Sequence, residues 1–112
     1  MANFNKVILM GYVGNDPQVR EVKEGVKVAN VSLAVTEKGY KTASAEVPDR
    51  TIWINLVVWR GLANVVENYV KKGANIHVEG KLRISQYDDG NGNKKERVEV
   101  EVSDLQLLTA KG

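Results

Sequence analysis

Trp53 and Trp59 are the side chains with most to offer chemically. They lie six apart in Thr51 to Trp59, a segment that alternates with period two. On a strand they share one face, and Ile52, Ile54, Leu56 and Val58 take the other. Tyr40 sits between Lys38 and Lys41, and Tyr87 lies beyond Lys81 and Arg83 at an outward position. Aromatic faces on which bases stack, with ammonium and guanidinium groups for the phosphates between them, are what a single-stranded nucleic-acid surface requires. Packing accounts for the same two tryptophans in another way: Trp59 as core beneath a helix, Trp53 inside a subunit interface. Both readings stand on these residues alone. Tyr12 and Tyr69 are assigned to packing.

Catalytic chemistry finds little to use. The chain has one histidine and no cysteine, which removes His-metal clusters, thiolate nucleophiles and disulfide frames. His77 stands between Ile76 and Val78 and reads as an ordinary outward or interface residue of a strand rather than a general base. Asp89-Gly90-Asn91-Gly92-Asn93 opens like a calcium loop. Position six is Lys94 and position twelve is Val100, where that loop needs glycine and a bidentate glutamate, so the segment is a hairpin tip. Gly11-Tyr12-Val13-Gly14 ends a strand without opening a helix and cannot cradle phosphates as a P-loop does. No catalytic residue, metal or cofactor is expected.

The elements that position these residues follow from the length and patterning. A chain of 112 residues is the size of one domain, taken as residues 1 to 112. Sixteen Lys and Arg against fourteen Asp and Glu leave +2, so attraction for a polyanion has to come from a local patch. The first apolar run, Val7 to Met10, is far shorter than a membrane span, and a cytoplasmic, nucleoid-associated protein with no membrane partner is expected.

Five strands and one helix are predicted. Asn5 to Val13 is apolar on both faces, which points to the core on one side and a second subunit on the other. A long second strand, Val19 to Thr36, breaks near Glu24-Gly25, and the polar segment from Lys38 to Arg50 exceeds a usual hairpin loop. After the third strand, Leu62, Val65, Val66, Tyr69 and Val70 recur at helical spacing, with Lys71-Lys72-Gly73 as cationic last turn and C-cap. Asn75 to Tyr87 and Lys94 to Leu108 complete the set, with Ile76, Val78, Leu82, Ile84, Val98, Val100 and Val102 inward. A two-residue turn at Asn91-Gly92 pairs residue numbers summing to 183 and sets inward Ile84 against outward Glu99. An odd-length loop or a bulge is therefore predicted. A sum of 184, for instance, pairs Ile84 with Val100, Arg83 with Glu101 and Tyr87 with Arg97.

Three strands, a helix and two strands is the order of an OB-fold, an all-β, five-stranded Greek-key barrel with one helix between strands three and four. Asn5-Lys6-Val7-Ile8-Leu9-Met10-Gly11, Asp16-Pro17-x-Val19-Arg20, Val28-Ala29-Asn30-Val31-Ser32-Leu33-Ala34 and Thr51-Ile52-Trp53 resemble the bacterial single-stranded DNA-binding protein family. So does the stretch from Tyr69-Val70-Lys71-Lys72-Gly73 to Val78-Glu79-Gly80-Lys81-Leu82. The resemblance implies a homotetramer, a dimer of dimers, that wraps single-stranded DNA without sequence preference during replication, recombination and repair. It carries the stacking positions onto Tyr40, Trp53, Trp59 and Tyr87, and it makes Lys6, Arg20, Lys41, Arg50, Lys72, Lys81 and Arg83 the phosphate candidates. Family members usually continue into a Gly-, Gln- and Pro-rich linker with an acidic tip, whereas this sequence stops at Thr109-Ala110-Lys111-Gly112, so no tail-mediated protein partner is expected. The alternatives are an OB-fold accessory factor of primosome or RNA-binding type, or a protein-interaction module that uses the aromatic face.

Overall fold

Alternating apolar residues build a closed barrel in the computed structural model, which describes residues 2–108. The strands are β1 (Val7–Val13), β2 (Gln18–Lys23), β3 (Val26–Glu37), β4 (Tyr40–Lys41), β5 (Glu46–Val47), β6 (Arg50–Trp59), β7 (Asn75–Asp88) and β8 (Lys94–Leu107), with α1 (Gly61–Tyr69) between β6 and β7. The main sheet runs β1-β7-β8-β6-β3-β2, and β1 also pairs β3 through Tyr12 and Val13 to close the ring. All pairings are antiparallel except β6 with β8, which run parallel from Asn55 opposite Glu99 to Val58 opposite Val102. This is the five-stranded OB barrel, with β2 as an added edge.

Inward residues from every barrel strand fill the interior. Ala29, Leu33, Leu56, Val58, Ile76 and Val78 are fully enclosed, and α1 seals one end with Ala63 and Val66. The helix keeps most of its predicted face. Leu62, Val66 and Val70 of that face pack on the core as expected, but Ala63 joins them and Tyr69 is exposed; Tyr12 is exposed because it lies on the outer face of β1. Val70 is already extended, so Lys71 and Lys72 lie beyond the helix and do not form its last turn. Arg60 enters α1 at φ 58, the left-handed region, and its carbonyl accepts the amides of Ala63 at 2.9 Å and Asn64 at 3.3 Å. A side chain at such a dihedral costs about 1–3 kcal/mol, and it turns the chain abruptly from outer-face Trp59 into the sealing helix.

Three departures from the expected strands have local causes. The predicted second strand is a hairpin: Glu24-Gly25 reverses the chain, and Gln18 to Glu21 pair back onto Asn30 to Lys27. The Lys38 to Arg50 segment carries a small ribbon in which Tyr40 faces Val47 and Lys41 faces Glu46, with Gly39 N–H donating to Asp49 Oδ1 at 2.7 Å. The β7–β8 loop has five residues, Asp89 to Asn93, the odd length that parity demanded. Asp89 Oδ1 accepts the amides of Asn91 at 2.8 Å and Asn93 at 3.3 Å. The sum in that hairpin is 182, with Ile84 opposite Val98 and Leu82 opposite Val100, and the register shifts at Glu79/Gly80. Leu82, Ile84 and Val98, expected inward, are exposed because the 14-residue β7 runs past the barrel, so its outer half has no interior to face. The segment Thr109 to Gly112 lies outside the described residues.

Candidate nucleic-acid interface

The outward face of β6 presents Trp53, Asn55, Val57 and Trp59 in line, the two rings about 20 Å apart at ~3.3 Å per residue. Trp53 is 63% exposed and Trp59 37%, so Trp59 is not the helix-covered core residue of the packing alternative. Trp53 lies over Gly14: a Cβ at that glycine would overlap Trp53 Cζ3 and stand 3.0 Å from Cη2. Gly14 is fixed in turn by its own N–H, which donates to Ser32 O at 2.8 Å. The β1–β2 turn thus forms a floor for the indole ring.

Register carries the surface outward from β6. Ser32 on β3, Asn55 on β6, Glu99 on β8 and Arg83 on β7 are successive cross-strand neighbours, and Asn30, Val57, Glu101 and Lys81 form the next row. Further along the hairpin, Arg97 stacks over Tyr87 with Cζ 4.9 Å from the ring centroid. Arg97 and Tyr87 meet diagonally, since Tyr87 sits directly opposite Lys95. Trp53, Trp59, Tyr87, Lys81 and Arg83 therefore share one continuous outer face, joined at its β2 edge by Arg20 opposite Val28. A shallow cleft of about 280 Å³ crosses this face between the tryptophans, lined by Gln18, Arg20, Asn30, Ser32, Asn55, Arg97 and Glu99.

The remaining predicted residues are distributed around it. Tyr40 and Lys41 are exposed on the β4–β5 ribbon, and Arg50 opens β6 opposite Glu37. Lys6 lines a second cleft with Lys81 and Glu101, and its Nζ is 3.2 Å from a Glu79 carboxylate oxygen. Lys72 belongs to the turn after α1, tied by its N–H to Asp16 Oδ1 at 3.2 Å. Glu101 holds Arg83 at 2.6 Å and Lys81 at 3.6 Å, so any phosphate approaching these cations competes with a carboxylate. The register sum of 184 already sets Arg83 against Glu101; the observed register makes that contact diagonal and places Lys81 directly opposite the same carboxylate. Asn55 lies between the tryptophans on the same face of β6, but no sequence signal marks it as part of a site, and the transverse rows need the register. Among the described residues no group of His, Cys, Asp and Glu could hold a metal, and no helix is long and apolar enough to cross a membrane.

Residues 4–108 match the model of the single-strand binding protein family. The chain belongs to that family. Its sequence is 42% identical over 108 residues to the single-stranded DNA-binding protein 1 of Chlorobaculum tepidum, covering 96% of this chain and 66% of the relative. It is 41% identical over 109 residues to the single-stranded DNA-binding protein of Bacteroides thetaiotaomicron, covering 96% and 68%. The chain thus spans about two thirds of the length of these single-strand binding relatives. The fold superposes with a TM-score of 0.85 on a Plasmodium falciparum SSB solved in complex with ssDNA, at 29% identity over 97% of this chain and 98% of that one.

Proposed function

We propose that this single-strand binding family member holds single-stranded DNA without a catalytic step and with broad tolerance of sequence, protecting unpaired strands in replication, recombination and repair. The observation that carries this is the exposure of Trp53 and Trp59 on one face, within a surface that also holds Tyr87, Arg20, Lys81 and Arg83. Tyr40, Trp53, Trp59 and Tyr87 act as stacking platforms, each worth about 1–3 kcal/mol per base whatever the base, because every base has a π face. Lys6, Arg20, Lys41, Arg50, Lys72, Lys81 and Arg83 act on phosphates. A net charge of only +2 suffices because Arg20, Lys81 and Arg83 lie on the same face as the rings.

The working unit is a homotetramer, a dimer of dimers. Ile8, Met10 and Tyr12 line the outer face of β1, all more than half exposed, and the β3-side edge of β1 is paired only at Tyr12 and Val13. An unpaired edge beside an apolar face is a surface for a second copy of the chain. Light scattering on Met10→Glu should then report a smaller mass than for the parent protein, and an unchanged tetramer would overturn this assignment of the interface.

Titration with poly-dT tests the binding itself. Tryptophan fluorescence should be quenched as bases stack, less so in Trp53→Ala and Trp59→Ala. Affinity should fall with salt at a log-log slope of about −0.7 per phosphate neutralised. Salt-independent binding, or unchanged fluorescence at saturation, refutes the proposal.

A further inference from the structure

The row between the two tryptophans contains a group that phosphate capture leaves unexplained. Glu99 is half-buried on the aromatic face, directly opposite Asn55 on one side and Arg83 on the other. The Arg83 guanidinium turns away to Glu101, and among the described residues Glu99 makes no ion pair or side-chain hydrogen bond. Asn30, Ser32 and Asn55, which line the same cleft, likewise make no side-chain hydrogen bonds among the described residues. An acceptor-only carboxylate in that position repels phosphate. What it can accept is an N–H, and on a strand of DNA every N–H belongs to a base edge.

We propose that this cleft is a base-edge reading subsite: a base on the Trp53 to Trp59 face directs its edge into the row Ser32, Asn55, Glu99, and Glu99 accepts a hydrogen bond from an exocyclic amine. The amides and the hydroxyl each both donate and accept, so they adapt to any base. Glu99 does not adapt. It rewards the N4 amine of cytosine, as carboxylates do elsewhere on nucleic acids, and opposes the O4 carbonyl that thymine presents at the same position. The subsite thereby superimposes a preference for amino-bearing bases on a stacking surface that is otherwise indifferent to sequence. This inference rests on the proposed function, which supplies the strand.

Two pyrimidine homopolymers isolate the effect. Oligo-dC and oligo-dT of about 8–12 residues, short enough for one barrel, are titrated at fixed salt against the parent protein, Glu99→Gln and Glu101→Gln. Either substitution removes one negative charge and should tighten both ligands. Glu99→Gln should also shift the dC:dT affinity ratio toward dT by about three- to tenfold, the worth of one hydrogen bond gained or lost, because a glutamine amide can donate to thymine O4. Glu101→Gln removes the same charge beside Lys81 and Arg83 and should leave the ratio where it was. Thermal melts of both variants within a few degrees of the parent confirm the fold. An unchanged ratio in Glu99→Gln, or the same shift in both variants, overturns the subsite and leaves strand binding intact; failure of the parent to bind either ligand overturns the proposed function instead.

Discussion

Gly14→Ala offers a direct way to move a stacking platform without touching it. The glycine lies in the turn after β1, and its φ is not in the left-handed region, so alanine fits the backbone. The new methyl would meet the Trp53 ring itself, overlapping Cζ3 and standing 3.0 Å from Cη2 and 3.2 Å from Cε3. The indole is an exposed side chain and can swing aside, so the fold should lose little, within about 0.5 kcal/mol of the parent as for most surface changes. Its base-stacking geometry should be lost. If stacking on Trp53 supplies about 1–3 kcal/mol, affinity for oligo-dT falls by roughly 5- to 150-fold in Trp53→Ala, and Gly14→Ala should approach the same loss with weaker fluorescence quenching. The decisive measurement is the double variant. Once the ring is gone the methyl has nothing to displace, so Gly14→Ala/Trp53→Ala should bind like Trp53→Ala alone, a coupling equal in size to the Gly14→Ala effect. Parent-like affinity in Gly14→Ala, or losses that simply add, would refute the idea that this turn seats the ring.

Other positions separate folding from binding. Gly80→Ala should lower the urea midpoint by the equivalent of about 2 kcal/mol at fixed protein concentration, because its Cβ would overlap the Glu101 carbonyl oxygen and sit 2.8 Å from the carbonyl carbon, and main chain cannot swing aside. The Lys27 to Glu67 pair, 2.8 Å long, links β3 to α1. The hydrogen bond to Glu67, helped by that residue's negative charge, raises the Lys27 ammonium above the ordinary 10.5. A raised folded value means the stabilisation is fully present below the unfolded lysine value and disappears as pH climbs through the folded one. The melting difference between the parent and Glu67→Gln should therefore be small and constant from pH 7 to 9 and vanish in strongly alkaline buffer.

Much of this surface can be read from alternation. Period two separates Trp53 and Trp59 from the buried face of β6 without any structure, and parity alone rejected a two-residue turn at Asn91-Gly92. The errors lie where a local pattern is compatible with two global arrangements. Val19 to Thr36 keeps the same apolar alternation whether Glu24-Gly25 is a break in one strand or a reversal between two, so the hairpin of β2 and β3 was hidden. Leu82, Ile84 and Val98 point to the side that would be interior, but alternation does not say how far the interior extends, and at ~3.3 Å per residue β7 spans about 45 Å. The register sum of 182 rather than 184 has a related origin: the pairs expected at 184, Arg83 with Glu101 and Tyr87 with Arg97, do touch, as diagonal neighbours. Side-chain proximity was right and backbone pairing was off by two.

The parallel pairing of β6 with β8 bears on how the molecule is made. Synthesis delivers β3 and β6, with both tryptophans, well before β8, and until Glu99 to Val102 arrive the second edge of β6 has no partner. Pairings of such long sequence separation form late and slowly. A nascent chain halted after α1 therefore carries the rings but neither the closed barrel nor the rows that cross it. The rows that cross the aromatic face come into being only with β8, so an incomplete chain lacks the surface proposed to hold a strand.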